Sequence, residues 1–124
     1  MTSVFRQWTI DAHDIDRLAR FWADALDYRI ENDGSDGPTC HLVTRDDAPA
    51  GAPTVWVQQA GDPKTVKNRV HPDLRPADGD VDAEVRRLLD LGATHADVGQ
   101  SPDDPFVVLR DPEGNEFCIL RDPH

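Results

Sequence analysis

The most constraining feature of the sequence is a repeated order of secondary-structure patterns: a strand, a helix and three strands, followed by the same elements again. Gln7 and His71 lie 64 residues apart, and Leu26 and Leu91 lie 65 apart. Amino-acid identity between the halves is negligible, so the repeat lies in element order and spacing. It predicts an α+β fold of two βαβββ modules in a single domain, residues 1–124. The predicted boundaries are module one at about 1–60, a linker at 61–68 and module two at about 69–124.

One amphipathic helix is predicted in each module. In module one, Asp14 is the N-cap of a helix that continues to about Leu26. In module two, Asp80 is the N-cap, and Gly92 ends the helix. Each helix has an apolar stripe that we expect to pack on a sheet. The stripes consist of Leu18, Phe21, Trp22, Ala25 and Leu26 in the first helix and of Val81, Val85, Leu88 and Leu89 in the second.

Alternating or continuous apolar patterns predict four strands in each module. Between the last two strands lies DPEGN, in which Pro112 sets φ and Gly114 supplies the positive φ of a short hairpin loop. The predicted strands are about Val4–Asp11, Tyr28–Glu31, Thr39–Arg45 and Thr54–Gln59 in module one, and Arg69–Arg75, Thr94–Val98, Phe106–Arg110 and Glu116–Leu120 in module two.

Composition argues against several classes of function. A net charge of −11, from 13 Lys and Arg against 24 Asp and Glu, opposes binding to nucleic acid and to anionic lipid. No apolar run approaches the ~20 residues of a membrane-spanning helix, and we find no pattern of a secretory signal. Cys40 and Cys118 match neither a disulfide framework nor a zinc-binding spacing. We therefore expect a cytoplasmic protein that binds neither nucleic acid nor a membrane.

Strand alternation places two polar side chains opposite the faces expected to pack on the helices. Gln7 in module one and His71 in module two take equivalent positions, and both residue types are acceptable metal ligands. Pro72 follows His71 and has no backbone N–H, so a bulge there would change the direction of the His71 side chain. The residues expected on the packing faces are Val4, Trp8 and Ile10 in module one and Val70 and Leu74 in module two.

Four segments in this order resemble the vicinal-oxygen-chelate superfamily, which includes glyoxalase I, the bleomycin-resistance proteins and the extradiol dioxygenases. They are DIDRLARFWADALDY, KTVKNRVHPDL, LLDLGAT and DPEGNEFCIL. The second and fourth are similar to the subgroup of glyoxalase-like domains. The resemblance implies that the mixed sheets curl into a cup with the helices outside, and that chains pair as homodimers. It also implies a divalent metal in the cup, held by residues of the first and last strands of each module.

Transferred to this sequence, the resemblance implies Gln7 and His71 as ligands of a divalent metal such as Ni, Zn, Mn or Fe. The last strands depart from the family pattern. Cys118 stands where metal-dependent relatives have a carboxylate, and Glu116 lies two residues earlier on the same strand face. The last strand of module one offers no inward carboxylate. The predicted substrate pocket contains Trp56, Gln58 and Cys118, and Glu116 is the predicted catalytic acid or base.

These residues also have structural interpretations. His71 fits a hydrogen-bonded residue of the core or of a cavity, and Cys118 fits a small buried hydrophobe. Glu116 fits an ion pair across the hairpin with Arg110 or a neighbour. Trp56 fits either the core or an aromatic wall of the cavity.

The sequence leaves three functions open, and with them whether the protein is an enzyme. In the first, a bound metal polarises vicinal oxygens of a small substrate, as in a lyase, isomerase or dioxygenase, while Glu116 or a metal-bound water moves a proton. In the second, a metal-free protein sequesters a cationic or planar aromatic compound, as the bleomycin-resistance proteins do; the net charge and Trp56 favour this alternative. In the third, the domain is structural or binds a protein partner.

Overall fold

The computed structural model describes residues 1–31 and 39–121. The chain forms two compact units, Met1–Pro63 and Lys64–His124. Each unit contains one helix and one four-stranded mixed sheet, in the order strand, helix and three strands. The predicted α+β fold of two βαβββ modules is therefore confirmed. The elements are β1 (Gln7–Ala12), α1 (Ile15–Leu26), β2 (Arg29–Ile30), β3 (Thr39–Val43), β4 (Thr54–Gln59), β5 (Asp73–Leu74), α2 (Val81–Leu91), β6 (Thr94–His95), β7 (Phe106–Arg110) and β8 (Glu116–Leu120).

The sheet of the first unit has the strand order β1-β4-β3-β2. β1 runs parallel to β4, and the other neighbours are antiparallel. The helix α1 packs on this sheet, because alternation turns one apolar row of each strand towards it. The buried residues of this core include Leu18, Phe21 and Trp22 from α1, Cys40 and Leu42 from β3, and Val55 and Val57 from β4.

Both helices begin and end at the predicted residues. The Asp14 side chain accepts a hydrogen bond from the backbone N–H of Arg17 at 3.2 Å, and Asp80 accepts one from that of Ala83 at 3.0 Å. These bonds satisfy amides that would otherwise lack a partner in the first turn. At the other end, Asp27 follows α1 with φ 55° and Gly92 follows α2 with φ 122°. Neither helix is long and apolar enough to cross a membrane.

The second unit repeats the arrangement, with the strand order β5-β8-β7-β6 and β5 parallel to β8. Leu109 of β7 and Phe117 and Ile119 of β8 are fully buried, as is Leu88 of α2. Because successive side chains of a strand point to opposite faces, this packing turns Glu116, Cys118 and Leu120 to the other face of the sheet.

The loop between β7 and β8 has the predicted geometry. Gly114 has φ 89°, a conformation that favours glycine. The buried Asp111 carboxylate accepts hydrogen bonds from the backbone N–H groups of Glu113 and Asn115, both at 2.9 Å. The Asn115 side chain donates to the same carboxylate. These bonds hold the loop, and with it the start of β8.

The first strand of each unit is shorter than predicted. β1 begins at Gln7, and Val4, expected on the packing face, is exposed. β5 contains only Asp73–Leu74 instead of Arg69–Arg75, and Val70, also expected on the packing face, is exposed. In β5, pairing before Asp73 is lost because Pro72 has no backbone N–H to donate to β8. β2, β3 and β6 also end before the predicted residues.

Candidate functional site

Three potential metal ligands meet on the face of the second sheet that is turned away from α2. They are His71, Asp73 and Cys118, and one ligand atom from each lies within 4.8 Å of those of the other two. The geometry follows from strand pairing, because Asp73 of β5 lies directly opposite Cys118 of β8. His71 precedes Asp73 by two residues, and its Nδ1 lies 3.7 Å from Asp73 Oδ1. The site therefore combines an imidazole, a carboxylate and a thiol.

Pro72 connects this group to the sheet. Its carbonyl oxygen accepts a hydrogen bond from the backbone N–H of Cys118 at 3.0 Å. The segment before β5 is thus held against β8 although Pro72 has no N–H to donate. This bond holds the backbone between His71 and Asp73 beside the strand that carries the thiol.

The environment of Cys118 differs from that of the other two ligands. Cys118 is buried in a small apolar cluster with Ala96 and Val108, against which Phe106 packs. Burial, followed by the charge of Asp73 and a hydrogen bond with it, raises the pKa of the Cys118 thiol to about 11. Without a metal the thiol is therefore protonated near neutral pH. A metal would have to displace this proton to bind the sulfur.

Glu116 is 3% exposed and is held by the segment that leads from the first unit into β5. Lys64 Nζ donates to Glu116 Oε2 at 2.8 Å, and the backbone N–H of Asn68 donates to Oε1 at 2.9 Å. Arg110, the partner expected across the hairpin, lies farther away, with Nε 3.9 Å from Oε2. Burial raises the pKa of Glu116, but the hydrogen bonds from Lys64 and Asn68 outweigh it, so the pKa is lowered. Glu116 is ionised at neutral pH.

A cavity of about 310 Å³ lies over the three ligands. Apolar side chains of β7, β8 and the segment after β6 form part of its wall, and charged or polar side chains form the rest. The lining residues are Val98, Phe106, Val108 and Leu120 among the apolar ones, together with Lys67, His71, Asp73, Glu116 and Cys118. The space suits a small molecule that has an apolar part and a polar group directed at the ligands.

The remaining predicted site residues lie in the first unit, on the sheet face turned away from α1. The Thr54 hydroxyl donates to Gln7 Oε1 at 3.1 Å. Gln58 Nε2 donates to Asp11 Oδ1 at 2.8 Å. The rings of Trp56 and His41 are in contact, with centroids 4.8 Å apart. This face carries aromatic and hydrogen-bonded polar side chains, in contrast to the apolar face that packs on α1.

The structure thus brings His71, Glu116 and Cys118 together around one cavity of the second unit. It places Gln7, Trp56 and Gln58 on the first unit's sheet. Asp73 was not identified from the sequence, although strand alternation puts it on the same side as His71. The contact of Lys64 with Glu116 was also not foreseen, since no local pattern links the linker to the start of β8.

A family model for glyoxalase-like domains matches residues 7–120. The chain belongs to this family. The glyoxalase-like domain is thereby a member of the vicinal-oxygen-chelate superfamily, as the sequence motifs indicated. No curated protein matches it significantly.

Solved structures of other proteins share the fold of this glyoxalase-like domain. The fosfomycin resistance protein FosX from Mesorhizobium loti is 18% identical with a TM-score of 0.71, over 97% of this chain and 92% of that one. A FosX mutant from Listeria monocytogenes, complexed with Mn(II) and 1S,2S-dihydroxypropylphosphonic acid, is 15% identical with a TM-score of 0.72, over 97% and 90%. A glyoxalase/bleomycin resistance protein/dioxygenase family enzyme from Burkholderia phytofirmans is 17% identical with a TM-score of 0.68, over 96% and 98%.

The ligands of the glyoxalase-like domain fit a divalent metal. Imidazole nitrogen, carboxylate oxygen and thiolate sulfur are ligand types that zinc takes in proteins. Three protein ligands with a further position open are typical of catalytic sites. Asp73 and an ionised Cys118 together balance a charge of +2, and Asp73 supplies a carboxylate beside position 118, where this chain has cysteine.

Proposed function

We propose that the protein binds a small organic molecule in the cavity of the second unit, beside a divalent metal held by His71, Asp73 and Cys118, and acts on it as a metal-dependent enzyme. The observation that carries this proposal is the meeting of three potential ligand side chains in the lining of a cavity that also has apolar walls. When bound, the metal supplies Lewis-acid polarisation of an oxygen of the substrate.

The residues that line the cavity would position the substrate beside the metal. Phe106 and Val108 offer an apolar wall that limits access of water. Glu116 is ionised and both of its oxygens accept hydrogen bonds, which makes it a weak base, so its role as catalytic acid or base stays a prediction. Its contacts also hold the segment that carries Lys67 at the edge of the cavity. The roles predicted for Gln7, Trp56 and Gln58, the cup and the homodimer stay predictions.

The alternative is a metal-free binding protein that sequesters the same class of molecule. The apolar walls of the cavity would bind an apolar molecule equally well in a metal-free binding protein and in an enzyme. The charges around the cavity do not favour a cationic guest, however, because Lys67 and Lys64 balance Asp73 and Glu116. The net negative charge of the protein would attract a cationic aromatic compound, but the charges around the cavity would not add to its affinity.

Metal content tests the proposal. The purified protein is incubated with Ni²⁺, Zn²⁺, Mn²⁺ or Fe²⁺, desalted and analysed by elemental mass spectrometry, together with His71→Ala and Asp73→Asn. His95→Ala, which removes an exposed histidine of the same unit, is the matched control. We expect near-stoichiometric metal in the wild type and the control and a clear loss in the two site variants. Absence of metal from all four proteins would refute the metal-dependent enzyme and leave the metal-free binding protein as the function.

A further inference from the structure

Cys118 gives the site of three potential ligands a soft sulfur atom, where a second carboxylate would give a hard oxygen. It lies opposite Asp73 in the β5–β8 pairing and lines the cavity, while the rest of its surface is buried among apolar side chains. The position of Sγ is set by the pairing of two strands, not by a mobile loop. The sulfur is therefore held within reach of any ion that His71 and Asp73 bind.

We propose that the site is selective for thiophilic divalent metals, with Cys118 Sγ bound to the metal, and that it binds Zn²⁺ and Co²⁺ in preference to Mn²⁺ and Mg²⁺. This inference rests on the proposed function, because it concerns the same site. It extends that proposal by naming the class of metal and the atom that selects it.

The selectivity follows from the ligand atoms. Soft thiolate ligands favour zinc and the later first-row metals, whereas Mg²⁺ and Mn²⁺ favour carboxylate, carbonyl and water oxygens. Within the site, Asp73 is the one oxygen ligand, and imidazole and sulfur supply the other two. The general order of affinities of divalent metals also places Mn²⁺ below Co²⁺ and Zn²⁺. Ligand type and intrinsic affinity therefore act in the same direction.

Charge supports the same conclusion. A thiolate and a carboxylate neutralise a divalent ion completely, so the complex adds no net charge to a mainly apolar surrounding. If Cys118 stayed a neutral thiol, the ion would retain one uncompensated charge beside Val108 and Phe106. Binding through sulfur is thus the arrangement that the apolar surroundings of Cys118 favour.

Cobalt(II) is the probe, because a thiolate bound to it produces a ligand-to-metal charge-transfer band in the near ultraviolet. The full-length protein is titrated with Co²⁺ and then with Zn²⁺, and in parallel with Mn²⁺ and Mg²⁺ in competition with Zn²⁺. Cys118→Ser removes the thiolate, and Cys118→Asp replaces it with a carboxylate. Cys40→Ala, which removes the other buried cysteine, is the control. Circular dichroism verifies that each variant is folded.

We expect the charge-transfer band in the wild type and in Cys40→Ala and its loss in both Cys118 variants. We also expect Zn²⁺ to resist displacement by Mn²⁺ in the wild type and to be displaced more readily in Cys118→Asp. Cobalt bound without the band, or Mn²⁺ displacing Zn²⁺ from the wild type, would overturn the inference and leave the proposed metal site standing. Failure of the wild type to bind any of these metals would overturn both.

Discussion

Replacing Glu116 by glutamine tests whether a buried ion pair holds the linker segment on the second unit. Glutamine keeps the shape of the side chain and an oxygen that can accept the hydrogen bond from the Asn68 N–H. It removes the charge that Lys64 Nζ meets at 2.8 Å. The Lys64 ammonium, whose side chain is 17% exposed, then loses its carboxylate partner in a poorly hydrated position.

The magnitude follows from the burial of the two partners. Removing one member of a fully buried ion pair costs about 3–5 kcal/mol, and a hydrogen bond to a charged group contributes about 1.5–3 kcal/mol. Lys64 retains some contact with water, and Asn68 retains an acceptor, so the lower part of these ranges applies. We expect the free energy of unfolding to fall by about 2–3 kcal/mol. For a chain of this length that corresponds to a decrease in Tm of about 10 °C.

Urea denaturation and thermal melting followed by circular dichroism measure the effect. Asp27→Asn is the matched control, because it also removes a carboxylate from a 2.8 Å ion pair, with Arg45, but on side chains that are 82% and 50% exposed. Asparagine tolerates the left-handed conformation at position 27. We expect a loss of about 0–1 kcal/mol for this exposed pair. Equal losses in the two variants would refute the reasoning that burial determines the contribution of the Glu116 pair.

Three further predictions concern stability. The pKa of Glu116 is lower in the folded state than its ordinary value of 4.5, so the ionised carboxylate stabilises the fold above pH 4.5, and this stabilisation is lost as the pH falls through the folded-state pKa. The stability of Glu116→Gln should therefore depend less steeply on pH during acid unfolding, and an unchanged slope would contradict this. Asp111→Ala should cost about 2–3 kcal/mol in urea denaturation, since it leaves two partly buried N–H groups of the β7–β8 loop without an acceptor. A loss below that of an exposed polar substitution would contradict it. Leu109→Ala should cost about 2–5 kcal/mol in the same assay, because it opens a cavity under α2, and a smaller loss would indicate that the core collapses around the missing side chain.

Local patterns were sufficient to predict much of the fold. The helix from Asp14 to Leu26 and the strands Thr54–Gln59, Phe106–Arg110 and Glu116–Leu120 match the structure at both ends. Each of these segments combines an alternating, continuous or helical apolar pattern with a capping or turn residue at its boundary. The signals are contained within the segment itself, so neighbouring elements are not needed to interpret them.

The segment Arg69–Arg75 shows where such patterns are insufficient. Its alternation predicts a strand of seven residues, but only Asp73–Leu74 pair with a neighbour. Whether a strand forms depends on the hydrogen-bonding partner beside it, and Pro72 cannot supply a donor there. The periodicity of a single segment contains no information about that partner.

The candidate metal ligands predicted from the sequence did not include Asp73, for a related reason. Alternation alone places Asp73 on the same face as His71, but its importance comes from the register that sets it opposite Cys118. Register between two strands separated by a helix is determined by packing in three dimensions. The same holds for Lys64, which reaches Glu116 across 52 positions of sequence.

The two modules, compared strand by strand, explain why the ligands are concentrated in one of them. Thr9 pairs with Trp56 in the first unit as Asp73 pairs with Cys118 in the second, and Trp56 and Cys118 are each the third residue of the last strand. The module-one counterparts of the three ligands are therefore Gln7, Thr9 and Trp56.

In that set, a threonine stands where the second unit has a carboxylate, and an indole stands where it has a thiol. Gln7 has an amide oxygen where the second unit has an imidazole, and that oxygen accepts a hydrogen bond from Thr54. Trp56 is in contact with His41 at the place where Cys118 is paired with Val108. The repeated fold thus supplies the same backbone positions twice, and the side chains at those positions bring three potential metal ligands together in the second unit and form an aromatic, hydrogen-bonded surface in the first.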